Sequence, residues 1–178
     1  MITVAEHTID ETLLPKENAL ILDVGCLNGE FSGEFSFDHI VFAVDLGGGE
    51  EVWDYAIGGH NGMVGIVKTE DRQGWKVGVG DEVEMVTIQE FSRRYDIEFW
   101  DIIKLDIEGA EIEAILAMDR PMAKQITVEF HLHCGQTFEM IDKAVTHLHK
   151  LGYRTIQHEM SDRHCAGENY WDSLFIKS

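Results

Sequence analysis

Strand-like runs alternate with segments of helical spacing along this chain, and that alternation limits the possible folds more than any other feature. "ALILDVG" (19–25) and "HIVFAVD" (39–45) are continuous apolar runs that each reach an aspartate, the form of parallel strands covered on both faces. Between them, "NGEFSGEF" (28–35) spaces Phe31 and Phe35 four apart, a short helix with Asn28 as its expected N-cap. The Gly-rich stretch from Gly47 to Val83 suggests strands and turns. "TIQE" at Thr87–Glu90 reads as a capping box, followed by Ile88, Phe91 and Tyr95 at helical spacing, and it leads into the strand "DIIKLDI" (101–107). "AEIEAILAMD" (110–119) places Ile112, Ile115 and Leu116 on one helical face before Pro121, and "QITVEFHLH" (125–133) is again a strand. Phe138, Ile141, Val145, Leu148 and Leu151 mark a helix that stops at Gly152. The closing strands "YRTIQHEM" (153–160) and "YWDSLFIK" (170–177) have no helix between them. The expectation is an α/β chain forming one domain over 1–178, with a mostly parallel doubly wound sheet and a C-terminal antiparallel strand pair at one edge.

Ligands of such sheets bind beyond the carboxyl ends of the strands, so charge there faces a cleft. In "DIIKLDIEG", alternation places Ile103, Leu105 and Ile107 on one side and Ile102, Lys104, Asp106 and Glu108 on the other. "QITVEFHLH" repeats the device: Ile126, Val128, Phe130 and Leu132 alternate with Thr127, Glu129, His131 and His133. If the two strands are neighbours, Asp106, Glu108, Glu129 and His131 converge. Those four are oxygen and imidazole donors of the kind that could hold a divalent ion, although no metal ligand is assigned. His147 and His149, two apart on a helix, diverge and make poor joint ligands.

The formal charge of −19, from 14 basic and 33 acidic residues, opposes nucleic-acid backbones and anionic lipid surfaces. No apolar run approaches the roughly 18 residues of a transmembrane helix. The opening "MITVAEHTIDETLL" lacks the pattern of a signal peptide, so a cytoplasmic protein is expected. Cys26, Cys134 and Cys165, odd in number and without a CxxC pair, fit reduced thiols.

"ILDVGCLNGEFS", "VFAVD", "WDYAIG", "VEMVTIQEF" and "DIIKLDIEGAEIEAI", in that order, resemble the FkbM-type branch of class I S-adenosylmethionine-dependent methyltransferases, with "KLDIEGAE" the most specific block. The resemblance implies a Rossmann-like methyltransferase fold, S-adenosylmethionine as cofactor, and methyl transfer to a hydroxyl of a small molecule or glycan. It implies that Asp23, Gly25, Cys26, Asn28 and Gly29 form the cofactor's turn, that Asp45 accepts from ribose hydroxyls, that Ala56 passes the adenine edge, and that Asp106 lies at the methionine end. Glu108, Glu129 and His131 are the candidate catalytic bases. A non-catalytic cofactor-binding module and a metal-dependent hydrolase are the alternatives. Only "LGGGEEVW" separates the second strand from "DYAIG", too short for a crossover helix, so the third strand is expected to be displaced or missing. With little chain before "ALILDVG", the site is expected to be open, to be closed by a homo-oligomer, or to take a large acceptor such as a glycan. Trp53, Tyr55, Trp75 and Trp171 could stack on sugars or pack in the core.

Overall fold

The computed structural model describes residues 1–46, 53–68, 75–160 and 170–178, with the backbone alone at 68 and 75–77. Its elements are the strands β1 (Ile2–Val4), β2 (His7–Ile9) and β3 (Leu20–Val24), helix α1 (Glu30–Phe35), and strands β4 (Ile40–Val44), β5 (Ala56–Ile57), β6 (Gly62–Lys68), β7 (Trp75–Val77) and β8 (Asp81–Val86). Then come α2 (Ile88–Arg94), β9 (Trp100–Leu105), α3 (Glu111–Leu116), β10 (Ala123–His131), α4 (Phe138–Lys150), β11 (Tyr153–Met160) and β12 (Tyr170–Lys177). A six-stranded sheet runs in the order β11-β12-β10-β9-β3-β4, with β10, β9, β3 and β4 paired in parallel.

The closing strands form an antiparallel pair at one edge of the sheet, as expected; β11 is the outermost strand, and β12 enters between β10 and β11 and pairs antiparallel with both. Its sequence explains why. Ser173, Leu174, Phe175 and Ile176 are all buried, and such a run needs cover on both faces and partners on both sides. Among the described residues, one parallel bridge, Val44 with Trp53, stands where the third parallel strand would be, and residues 47–52 of the preceding connection lie outside them. Downstream, the chain builds a separate sheet of order β5-β8-β6-β7.

Helix starts differ from expectation in informative ways. The N-cap of α1 is Gly29, at φ 72°, rather than Asn28, because the preceding turn needs a left-handed residue there. Thr87 caps α2 through Glu90 N at 3.2 Å, while the Glu90 carboxylate turns to Arg93 and Arg94, leaving half a capping box. In α3, Ile112 and Ile115 are buried but Leu116 is exposed, since that short helix buries Glu111 beside them.

The sheet has two unlike faces. Leu22, Val24, Ile103, Leu105, Ile126, Val128 and Phe130 form the large core with α2, α3 and α4. The opposite face holds a smaller apolar cluster of Ile9, Ile21, Phe31, Phe35 and Ile102. Beyond it are buried polar side chains: Asp23, Lys104 and Thr127 in one row of register, with Gln125, Glu129 and His131 along β10. The β1–β2 hairpin covers this face. Gln125 exchanges two hydrogen bonds with the Asp10 backbone, at 2.8 and 3.1 Å, and His7 is 3% exposed. The short N-terminal segment thus covers part of this face of the sheet.

Tyr153 fastens β11 under the start of β10: its hydroxyl accepts from Met122 N and Ala123 N and donates to Ala123 O, at 3.1, 3.0 and 2.9 Å. Tyr153→Phe leaves two buried N–H donors unmatched and is expected to lower unfolding free energy by about 1–3 kcal/mol. Urea denaturation checks this; a loss within error of zero would mean water replaces the hydroxyl.

Candidate active site

The turn after β3 is built by contact with the neighbouring strand ends. Gly25, at φ 78°, donates its N–H to Val44 O at 2.8 Å, and Asp106 N donates to Val24 O at 3.1 Å. A Cβ at Gly25 would lie 1.6 Å from the Asp106 carbonyl oxygen, so only glycine lets the turn press against the end of β9. Asp23 is fully buried; its Oδ1 lies 3.0 Å from Lys104 Nζ and its Oδ2 accepts from Ser32 Oγ at 2.5 Å. Lys104 also donates to Gly25 O at 2.6 Å and lies 3.5 Å from Asp106. Burial opposes the charge on Lys104, but Asp106 and Asp23 outweigh it and hold its pKa above the ordinary value.

Asp45, just past β4, accepts from Leu27 N and Leu46 N, both at 2.6 Å, and burial raises its pKa against those bonds. Cys26 is buried, and its thiol is pushed up to about 12 by burial and then by Asp23 and Asp45, so it is an inert neutral group. Asn28 is exposed at the head of α1. Ala56 lies apart from this turn's own sheet, in β5 opposite Met85.

The ends of β9 and β10 supply the second half of the site. Asp106 faces three cationic or polar partners: Lys104, His7 Nε2 at 3.5 Å and His131 Nε2 at 3.3 Å. Burial disfavours its charge, but Lys104 and the histidines hold its pKa well below the carboxylate range. His131 is 1% exposed, with Nδ1 2.7 Å from Glu111 Oε1. Both ring nitrogens therefore face carboxylates, and although burial resists protonation, Glu111 and Asp106 raise the ring's pKa well above its usual value. Glu129 Oε1 lies 3.7 Å from His131 Nε2; burial, then Asp106, push its carboxyl up to about 8.

Glu111 is the organiser that the sequence did not reveal. It is fully buried, and its carboxylate accepts from Ile107 N at 2.9 Å, from Gly109 N and from the Gln136 side-chain amide. Glu108 instead points away from that loop's backbone, toward His133 Nε2 and Cys134 Sγ, both 3.5 Å from its Oε2. His7 was equally hidden: its Nδ1 lies 3.3 Å from Thr127 Oγ1, 120 residues away. The "EGAE" spacing carried a signal for Glu111, whereas nothing local marked His7. The aromatic candidates pack internally: Trp53 against Phe42 and Tyr95, Tyr55 against Phe91, and Trp171 against Phe138 and His158. The Trp75 side chain lies outside the described residues.

Among known proteins, the Methyltransferase FkbM domain model matches residues 4–155. A search of curated protein sequences finds no match. A solved structure of a hemolysin-designated protein from Streptococcus thermophilus is similar with a TM-score of 0.54 and 13% identity, over 93% of this chain and 61% of that one. The Methanococcus jannaschii fibrillarin pre-rRNA processing protein is similar with a TM-score of 0.51 and 9% identity, over 97% of this chain and 71% of that one. A TehB-like SAM-dependent methyltransferase from Corynebacterium glutamicum aligns over 94% of this chain and 84% of its own, at 16% identity and a TM-score of 0.48. No helix among the described residues is long and apolar enough to cross a membrane. With the family model spanning most of its length, and a sheet order and polar strand ends that fit it, the chain belongs to the FkbM methyltransferase domain family and has the Rossmann-like fold of class I S-adenosylmethionine-dependent methyltransferases.

Proposed function

We propose that the protein transfers a methyl group from S-adenosylmethionine to a hydroxyl of a small molecule or carbohydrate. One observation carries this reading: the glycine turn and the Asp106–Glu129–His131 cluster are contiguous, because Gly25 packs directly on the Asp106 carbonyl. A cofactor held by the turn would present its reactive end to groups able to handle an acceptor proton.

The residues present fit the cofactor. The space beside Gly29 is open, with nothing within 4 Å of where a Cβ would stand, and the Asp45 carboxylate lies at the strand end where ribose hydroxyls need an acceptor. The acidic side chains around the turn suit a cationic sulfonium. S-adenosylmethionine, when bound, supplies an electrophilic methyl group. Asp23 acts by position: buried against Lys104 and Ser32, it fixes the turn through the Lys104 bond to Gly25 O. His131, held between Glu111 and Asp106, is better placed to carry charge and orient than to accept a further proton. Glu129 is the favoured base, since a carboxyl pushed up to about 8 is, in its ionised form, a stronger proton acceptor than an ordinary carboxylate and titrates close to the working pH. The protein's strong negative charge disfavours a nucleic-acid acceptor.

Calorimetric titration with S-adenosylmethionine and S-adenosylhomocysteine tests the cofactor assignment, and saturable binding of both is the expected result. Asp45→Ala should weaken affinity by about tenfold or more, as loss of a charge-assisted hydrogen bond costs about 1.5–3 kcal/mol. Unchanged affinity would move the hydroxyl contacts off Asp45, and no binding by the parent protein would overturn the function.

A further inference from the structure

Among the described residues, two clusters of metal-binding donors stand at the strand ends, and they differ in what already surrounds them. His7, Asp106 and Glu129 bring ligand atoms within 4.8 Å of one another. Asp106 there is already engaged by Lys104, His7 and His131, so a dication would have to displace existing partners. Glu108, His133 and Cys134 form the second cluster, also within 4.8 Å, at the outer rim of the site.

Two of the three ligand distances in the rim cluster are those of a zinc site, and the third lies within 4.8 Å. With Zn–S near 2.3 Å and Zn–N or Zn–O near 2.0–2.1 Å, tetrahedral ligands stand about 3.3–3.6 Å apart. Glu108 Oε2 lies 3.5 Å from His133 Nε2 and 3.5 Å from Cys134 Sγ. Two backbones converge to produce this. Glu108 comes from the loop between β9 and α3, and His133 and Cys134 from the 3-10 turn Leu132–Cys134 that follows β10. The two are pressed together where a Cβ on Gly109 would meet Cys134 Cβ at 2.8 Å. The Tyr170 ring packs edge-on against His133 at 5.4 Å, limiting the imidazole's rotation. Side-chain exposures of 25% for both Glu108 and His133 leave a path for an ion.

We propose that Glu108, His133 and Cys134 bind one zinc ion, with a fourth position open to water or another small oxygen ligand. Thiolate, imidazole and carboxylate together select zinc over magnesium or calcium. Binding exchanges the Cys134 thiol proton for the metal and releases that proton to solvent. The ion would sit beside the proposed acceptor groups, since Glu108 Oε1 lies 4.0 Å from His131 Nε2, but its binding does not depend on methyl transfer.

Cobalt(II) titration of the metal-free full chain tests the site, because cobalt replaces zinc and reports a bound thiolate as a near-ultraviolet charge-transfer band. The expected result is a band saturating at one equivalent, lost on adding zinc. Cys134→Ser should abolish it, His133→Ala should weaken cobalt affinity at least about tenfold, and Glu129→Gln, Cys26→Ser and Cys165→Ser should leave it unchanged. Thermal melting of each variant confirms folding. No band in the parent protein, or a band surviving in folded Cys134→Ser, would overturn the site. S-adenosylmethionine calorimetry on the same samples reads the methyltransferase proposal separately.

Discussion

Gly25→Ala is expected to abolish cofactor binding and to cost at least about 3 kcal/mol of stability, in the range of strained, overpacked substitutions. The new Cβ would stand 1.6 Å from the Asp106 carbonyl oxygen and 2.7 Å from its carbon, both backbone atoms that cannot rotate away. A left-handed φ of 78° adds about 1–2 kcal/mol for any side chain. Relief would require β3 and β9 to part at their ends, breaking the Asp106 N–H bond to Val24 O and the Lys104 bond to Gly25 O. Gly29→Ala is the control: it shares a left-handed φ of 72° but has no neighbour within 4 Å, so it should lose only about 1–2 kcal/mol. Urea unfolding and calorimetry on the pair measure this. Equal losses would mean that conformation, not close approach, makes Gly25 necessary.

Glu129→Gln should reduce methyl transfer by about 10²–10⁴-fold, the span of general-base catalysis, while changing S-adenosylmethionine affinity little. The parent's rate should rise with pH through about 8, because only the ionised Glu129 accepts a proton, and the variant should lose that rise. The groups facing Glu129 are Asp106 and Lys104 from the β9 end, His131 on its own strand, Asp172 on β12 and His7 from the hairpin. Stability offers a readout that needs no acceptor. Glu129's folded pKa of about 8 exceeds its ordinary 4.5, so its contribution is fully present below about 4.5 and is lost as pH rises through about 8. Urea midpoints of parent and Glu129→Gln should therefore diverge between about pH 5 and about pH 9, and parallel pH profiles would remove Glu129 as the base.

Much of this site was legible because sheets write their two faces into alternate positions. Lys104, Asp106, Thr127, Glu129 and His131 interrupt otherwise apolar strands, and side-chain alternation alone assigns them to one face. The glycine turn was legible for a related reason: a left-handed residue must follow the strand. What stayed hidden depends on encounters between distant segments. His7 sits in a hairpin whose local sequence gives no hint that it will dock on β10, 120 residues away. Glu111 resembles any acidic residue in a first helical turn until its carboxylate meets His131 and Gln136. The buried run in β12 was visible, but strand order is a tertiary property, so its place between β10 and β11 was not.

That placement has a consequence for how the chain acquires its shape during synthesis. β12 is made after both strands that flank it, so a chain emerging from the ribosome carries β10 with an unpaired edge until residues 170–177 arrive. An open edge beside buried apolar residues is a template for pairing with other chains. Folding of the six-stranded sheet therefore cannot finish during elongation through β11. It ends with an insertion step, and a pulse-labelled chain should pass from protease-sensitive to protease-resistant only after β12 has cleared the exit tunnel.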